Sequence, residues 1–461
     1  MLRDIASKKI YIIIASTILV ALAVIFLLSA WILSQKTFYM GVKIENINVA
    51  GIDRIKAKEI IQTELNRNYS SNSIILKYEE KEWQIALNEI SYSFLTDNAI
   101  DMAYRMGHEG NFISRLMAIH NLREKNVNIA ITPKFDRNKL KSMLEGIKNE
   151  IDQKEADASA TFKNGTVTFN KEVVGKNIDV DKNLGLIENI LMGRKFSPIE
   201  LRVDNIFPRI QYNEISAIDN VISTFSTSFN LQKIDRSYNI RLACEKINNL
   251  ILLPGEVFSM DKALGPRSLS YGYKNAPVII KGKLLEGIGG GVCQVTTTLY
   301  VATLKSKLEV LERKPHSMPL GYVQPGQDAT ISEGYIDFKF KNNKDYPILI
   351  NAQVSGNTII IRIVGKKEEA LQSVRLKSVV VKEFSPGKDI VVVDAMIPDG
   401  EMVVDKSAVT GRHVVVYRET YDENNKLIER EKISEDIYQS VRGVIRVSPN
   451  YYRQITMEAA V

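Results

Sequence analysis

From Ile10 to Leu33 the chain runs without a single charged side chain. At about 1.5 Å per residue this is roughly 36 Å of helix, enough to cross a hydrocarbon core of about 30 Å with some tilt. Arg3, Lys8 and Lys9 precede it. The pattern predicts an uncleaved single-pass anchor at 10–33, with residues 1–9 cytoplasmic and everything beyond about Ser34 extracytoplasmic. A cleaved signal peptide would carry a shorter apolar region, about 7–15 residues, ending in a small-x-small site. Beyond the anchor, Tyr39 to Val49 alternates apolar and polar residues, as a strand does. Ile60, Ile61 and Leu65 among charges then predict a helix over Ile55 to Asn66, making 36–70 a strand-helix connector.

The next stretch repeats itself. Setting Trp83 against Val167, an offset of 84 residues, brings Ile85 onto Phe169, Ile90 onto Val174, Phe94 onto Ile178, Asp97 onto Asp181 and Ile100 onto Leu184. Each copy predicts two short strands, an Asp to cap a helix, and the helix itself. Such duplication argues for one α+β domain of two similar halves over 71–205. A new pattern starts at Gln211. Around Ile240 to Asn249 a helix is expected, with Ile240, Ala243, Ile247, Leu250 and Ile251 on one face and Cys244 beside it as a buried, inert thiol. After the charged link Gly365 to Glu369, strand-like runs at Val374–Val381, Ile390–Val393 and His413–Tyr421 predict an all-β module over 372–449. The fold class is therefore α+β multidomain: one transmembrane helix, a duplicated α+β domain, a mixed α+β domain over 211–364, and the all-β module.

Composition narrows the partners. With 461 residues, 45% apolar and 25% charged, the chain can bury about three cores. A net charge of +7 without a long basic tract interleaved with aromatics argues against nucleic acid. It suits an anionic wall polymer or membrane surface, or a plainly solvated face. The four histidines show no metal-ligand spacing, so neither metal nor cofactor is expected. Cys244 and Cys293 are the two cysteines. In an oxidising compartment they could pair, which would end any thiol chemistry.

Candidate chemistry gathers on Gly287 to Tyr300, where four glycines in five positions precede Cys293. If a helix starts there, Cys293 sits at its positive end, where a thiolate is favoured. His316 could then deprotonate it, Asp328 or Asp337 could orient the imidazole, and backbone N–H groups from Gly291 to Cys293 could form an oxyanion hole. The order Cys, His, Asp is similar to that of papain-like and transglutaminase-like enzymes. Three features point the other way. Val295 to Thr298 is β-branched, which disfavours a helix by a few tenths of a kcal/mol per residue (roughly); Cys293 could be a small core residue; and Pro315 could place His316 on an exposed turn. Gly289, Gly290, Gly291, Gln294, Thr296, Thr297 and Tyr300 could equally line a ligand-binding cleft.

Motifs then suggest families. Trp83-x-Ile85, Asp97 and Ala103-Tyr104-Arg105 resemble the YoaR-like peptidoglycan-binding domain, which implies contact with wall glycan or stem peptide. Pro254-Gly255-Glu256-x-Phe258-Ser259, Gly272-Tyr273-x-x-Ala276, Gly289 to Tyr300, His316-Ser317, Gly326-x-Asp328-Ala329-Thr330 and Asp337-Phe338-x-Phe340-Lys341-Asn342 together resemble the VanW domain. That domain is named for an accessory component of vancomycin-resistance clusters; it implies an envelope role and supplies no reaction. Ile397-Pro398-Asp399-Gly400 and Val409-Thr410-Gly411 resemble the small wall-associated domain named for its five glycines. Two readings follow. The first is a membrane-anchored, non-enzymatic peptidoglycan-binding protein serving envelope maintenance or a vancomycin-type response. The alternative is a cysteine acyl-transferase or peptidase acting on peptidoglycan stem peptides.

Overall fold

The computed structural model describes residues 2–280, 283–367 and 373–458. Its first helix spans Leu2–Leu33, and the most apolar stretch of Ser7–Leu33 has no buried residue. The remaining chain forms two compact units, residues 1–154 with 174–206, and residues 155–173 with 207–461.

In the first unit the expected Tyr39–Val49 strand is a tight hairpin. Val42–Ile44 pairs with Ile47–Asn48 because Glu45 and Asn46 both adopt positive φ, the geometry that reverses a chain in two residues. A helix follows at Arg54–Tyr69, longer than expected at both ends; the Asp53 side chain caps it by accepting from the N–H groups of Ile55 and Lys56. Its buried face is Ala57, Ile61 and Leu65.

The repeat is visible as a repeated element order. One copy runs Ser73–Tyr78, Lys81–Ala86, Ser93–Phe94 and the helix Thr96–Arg105. The other runs Ser159–Lys163, Thr166–Asn170, Gly175–Ile178 and the helix Val180–Gly193. Asp97 and Asp181 are not the caps expected of them. Both lie in the first turn, where a carboxylate still complements the helix dipole, and the second helix is capped by Asp179. The two arms also part company in space. The hairpin 159–170 belongs to the second unit, where Ala158, Ala160 and Phe162 pack with Ile210, Ile215, Ile218, Ile251, Leu349 and Val364.

The second unit is organised by an antiparallel sheet in the order Asn220–Ser228, Thr358–Gly365, Ile348–Ser355, Leu250–Leu252. Two helices, Ile234–Ile247 and Val292–Lys305, pack on this sheet and on each other. Ile240, Ala243, Ile247 and Cys244 are buried as expected, and burial pushes the Cys244 thiol up to about 12. Leu250 and Ile251 leave the helical face and join the sheet, because Asn249 turns the chain with a φ of 61°.

The Val295–Thr298 run is helical, against its intrinsic preference. Every residue from Val292 to Leu304 except Cys293 is buried. Burying one Val or Leu contributes about 1.5–3 kcal/mol, which outweighs the propensity deficit of the whole run. The threonine hydroxyls are satisfied inside the helix or against its neighbours: Thr296 donates to the Val292 carbonyl at 3.2 Å and Thr298 to the Gln294 carbonyl at 2.7 Å.

The C-terminal module pairs Ser373–Phe384 with Gly411–Tyr421, and the latter with Leu427–Tyr438. A second small sheet joins Ile390–Val393, with the bounds expected, to Val444–Val447 and Met402–Lys406. The strands expected at Val374–Val381 and His413–Tyr421 are longer than the apolar runs alone indicated. A helix, Pro449–Glu458, follows the strands. Of the charged link, Glu368 and Glu369 lie outside the described residues.

Candidate active site

The hairpin strand Lys283–Ile288 delivers the chain into the turn Gly289–Gly291, and the helix Val292–Lys305 starts immediately after it. Two of the glycines are required by shape. Gly291, the residue at the helix N-cap, has a φ of 108°, which L side chains rarely adopt. A Cβ on Gly290 would lie 2.6 Å from the carbonyl oxygens of both Ala276 and Pro277, which are backbone atoms with little freedom to retreat. Asn239 fixes the turn from below, donating to the carbonyls of Lys274 at 2.9 Å and Gly290 at 3.1 Å. Gly290→Ala is expected to destabilise the chain by about 1–3 kcal/mol through this overpacking, read as a lowered denaturation midpoint.

Cys293 is therefore the second residue of the helix, at its positive end. Its sulfur lies 3.5 Å from Thr330 Oγ1 and 3.7 Å from the Ile331 carbonyl oxygen. His316 is buried, contrary to the exposed turn that Pro315 suggested, at 7% exposure. Asp328 Oδ2 accepts from the His316 ring Nδ1 at 2.6 Å and from the His316 backbone N–H at 2.7 Å. With Nδ1 so engaged, Nε2 is the ring nitrogen left uncommitted, and the imidazole stands close enough to Cys293 for each to shift the other's protonation.

The charges follow from these contacts. Burial alone would push the Cys293 thiol up; the hydrogen bond and charge of His316, with help from Ile331 and Thr330, overcome it and bring the thiol to about 7. Burial alone would likewise lower His316, but Asp328 and Cys293 raise it to about 9. Asp328, 1% exposed, is penalised by burial and still held below its ordinary value, first by His316 and also by Tyr438. Arg236 lies near the sulfur and donates to Gln294 Oε1 at 2.8 Å. Both cysteines are free, so the pairing that would have ended thiol chemistry is not made.

The other expected site residues fall elsewhere. Asp337 accepts from Ser259 Oγ at 2.6 Å and from the Asp261 N–H at 2.8 Å, holding a turn, so the imidazole is oriented by Asp328 alone. Gln294, 1% exposed, donates to Thr227 Oγ1 and the Ser228 carbonyl. Thr296 bonds within its helix, and Tyr300 packs edge-on against Phe338 at 5.6 Å. Thr297 clasps the Asp328 loop, donating to the Ala329 carbonyl at 3.0 Å and accepting from its N–H at 3.1 Å. These side chains are buried and bonded or packed within the domain, so they do not line a cleft. Sequence reasoning missed Tyr438, whose hydroxyl donates to Asp328 Oδ1 at 2.5 Å from 110 residues away. It also missed Arg313, which follows a strand and carries no motif of its own.

A thiol on a helix start, backed by a buried histidine-carboxylate pair in an α+β domain, defines the class: a multidomain protein with a cysteine-histidine-aspartate centre. Comparison with known families places it more closely. Residues 235–364 match the family described as "VanW like protein". Residues 83–200 match "Putative peptidoglycan binding domain", and residues 377–449 the "G5 domain". The three motif resemblances are thus borne out, and the chain is a cell-wall-associated protein of this architecture.

Two curated relatives match. "Uncharacterized protein YoaR" of Bacillus subtilis (strain 168) is 40% identical over 172 residues, 37% of this chain and 57% of that protein. "Vancomycin B-type resistance protein VanW" of Enterococcus faecalis (strain ATCC 700802 / V583) is 28% identical over 170 residues, 36% of this chain and 61% of that protein. The chain thus spans 57% and 61% of the lengths of these relatives. Among solved structures, "IgA1 Protease G5 domain structure" is 14% identical, covering 18% of this chain and 93% of that one with a TM-score of 0.12. "Crystal structure of HP0197-G5" is 19% identical, covering 17% and 99% with a TM-score of 0.10.

Proposed function

We propose that the chain is a membrane-anchored, extracytoplasmic cysteine acyl-transferase or peptidase acting on peptide bonds of peptidoglycan stem peptides. One observation carries the reading: beside the Cys293 thiol lies a buried imidazole whose Nδ1 is fixed by Asp328 at 2.6 Å. A protein that only binds wall polymer has no use for a buried acid-base relay behind a part-exposed thiol. Binding is retained as the role of residues 83–200, in keeping with the family they match.

In the proposed reaction the Cys293 thiolate attacks the scissile carbonyl carbon, forming an S–C bond and an oxyanion. The Cys293 N–H, at the positive helix end, faces that oxyanion. Collapse breaks the C–N bond; the leaving amine takes the proton of the His316 imidazolium, and a thioester remains. Water or the amine of a second stem peptide then attacks the thioester, giving its proton to His316 and restoring the thiolate. Asp328 stays ionised throughout and stabilises the imidazolium. Attack needs the thiolate, which forms above about 7, and the imidazolium, which persists up to about 9. The rate is therefore expected to rise through about 7, hold, and decline above about 9, as a pH profile of product formation would record.

The Ser7–Leu33 helix has the length and composition of a membrane anchor, which would leave the short N-terminus in the cytoplasm and the site outside. A part in envelope maintenance or in the response to vancomycin-type antibiotics is the wider role this suggests. The test is to incubate the full chain, in detergent, with purified sacculi and resolve the muropeptides. New cleaved or cross-linked products are expected, and prior alkylation with iodoacetamide should remove them. Unchanged muropeptides at every pH from 6 to 9, about the span of the two titrations, would refute the catalytic reading.

A further inference from the structure

The carboxylate behind His316 has a second oxygen, and the groups that reach it come from the C-terminal module. Asp436 and Tyr438 lie on the strand Leu427–Tyr438, inside the G5 domain match. The Tyr438 hydroxyl, fully buried, donates to Asp328 Oδ1 at 2.5 Å and accepts the Gly326 N–H at 2.7 Å. Arg313 lies between the two domains' carboxylates. Its Nη1 donates to both oxygens of Asp436, at 2.6 and 2.8 Å, while Nη2 stands 3.6 Å from Asp328 Oδ1. The Arg313, Asp436 and Asp328 side chains are 8%, 7% and 2% exposed. Around them the same two domains are joined by Gln439 N–H to the Ser317 carbonyl at 2.9 Å and by Gln327 Nε2 to Ser378 Oγ at 3.0 Å.

This wiring has a clear sense. An arginine facing Asp328 with no other anion would draw the carboxylate toward itself and weaken its hold on the imidazolium. Asp436 removes that competition by neutralising Arg313 with a two-pronged pair, itself steadied by Ser434 Oγ on Asp436 Oδ2 at 3.0 Å. Tyr438 acts in the opposite sense: by donating to Oδ1 it disperses part of the negative charge that would otherwise fall on His316. The remaining titratable groups facing Asp328 are Tyr300 and Tyr322, both kept neutral by burial. Cys293, across the imidazole, faces Tyr322 and Arg236.

We propose that Asp436 and Tyr438, carried by the C-terminal module, are positioning residues of the Cys293 site, setting from opposite directions the charge that Asp328 presents to His316. The module is then part of the reactive centre, beyond any wall-binding role of its own. The proposal rests on the thiol-site reading above, and its test needs no substrate.

The full chain, labelled with 13Cε1-histidine and held in detergent, is titrated by NMR, with the His316 signal assigned by its loss in His316→Gln. The wild-type ring is expected to titrate near about 9. Asp436→Asn should lower that midpoint and Tyr438→Phe should raise it, each by about half a pH unit or more. Loosened packing alone would move both variants downward, toward an ordinary histidine, so opposite signs are what a purely structural role cannot produce. No movement in either variant, or a downward shift in both, overturns the proposal. If Asp436→Asn does not fold, the sign for Tyr438→Phe decides by itself: upward supports the proposal, unchanged or downward overturns it. A wild-type ring titrating near about 6.5 would instead remove the thiol-site reading on which the proposal stands.

Discussion

Cys293→Ala is expected to abolish muropeptide products while leaving the fold intact. In the proposed reaction the sulfur is the nucleophile, and His316 and Asp328, bonded to each other at 2.6 Å, would act through it. Losing the nucleophile of such a unit commonly costs about 10⁴–10⁶ in rate, because the remaining groups have nothing to activate. The stability cost should be small. Cys293 is part-exposed, whereas its neighbours from Gln294 to Leu304 are buried, and the change to Ala removes one sulfur atom with its contacts to Thr330 and Ile331 at the start of the helix. An unchanged melting profile together with silent muropeptide chemistry is the expected pair of results. Activity retained in Cys293→Ala would show that the chemistry, if present, resides elsewhere.

Asp328→Asn is the second large effect. The amide keeps the shape of the side chain but brings no negative charge, and it can present an N–H to an imidazole that needs an acceptor. His316 would fall from about 9 toward or below the usual histidine range, because burial would then act without its main opponent. The Cys293 thiol, deprived of an imidazolium partner, would climb from about 7 to above an ordinary thiol. Turnover is expected to drop about 10²–10⁴-fold at neutral pH. Alkylation of Cys293 by iodoacetamide, followed against pH, checks the electrostatic half of this statement without substrate: the midpoint should move upward by at least about one unit. The same substitution at Asp337 should leave both readouts in place, since that carboxylate serves Ser259 and the Asp261 N–H.

Those two aspartates illustrate what the chain order can and cannot convey. Cys, His and Asp in sequence were enough to nominate Cys293 and His316, because glycines that force a sharp turn before a helix leave few places for the side chain that follows. Choosing between Asp328 and Asp337 was beyond the spacing: both follow His316 within about two dozen residues, and only the path of the intervening loop brings one of them onto the His316 ring. The Val295–Thr298 run misled for a related reason. Local preference amounts to tenths of a kcal/mol per residue, and burial between a sheet and a second helix overrides it. That same burial turns Gln294, Thr296 and Tyr300 inward, where the sequence suggested a cleft. The repeat was legible as an order of elements, through its apolar positions. Which unit each copy's hairpin would join depended on partners such as Ile210 and Leu349, at a distance no period records. Tyr438 had no signal at all, being one tyrosine on a strand of another module.

His316 is gripped twice by a single oxygen, Asp328 Oδ2, which takes both its ring N–H and its main-chain N–H. An imidazole held only through its ring can swing about its side-chain bonds; one whose carboxylate is also bonded to its own backbone is locked in a single rotamer. The ordering entropy of that ring, on the order of 0.5–1.5 kcal/mol for a side chain, is therefore settled when the chain folds and not renewed at each encounter with a peptide. In the proposed reaction such a centre would serve as a rigid template, and the mobility that turnover requires would have to come from the peptide.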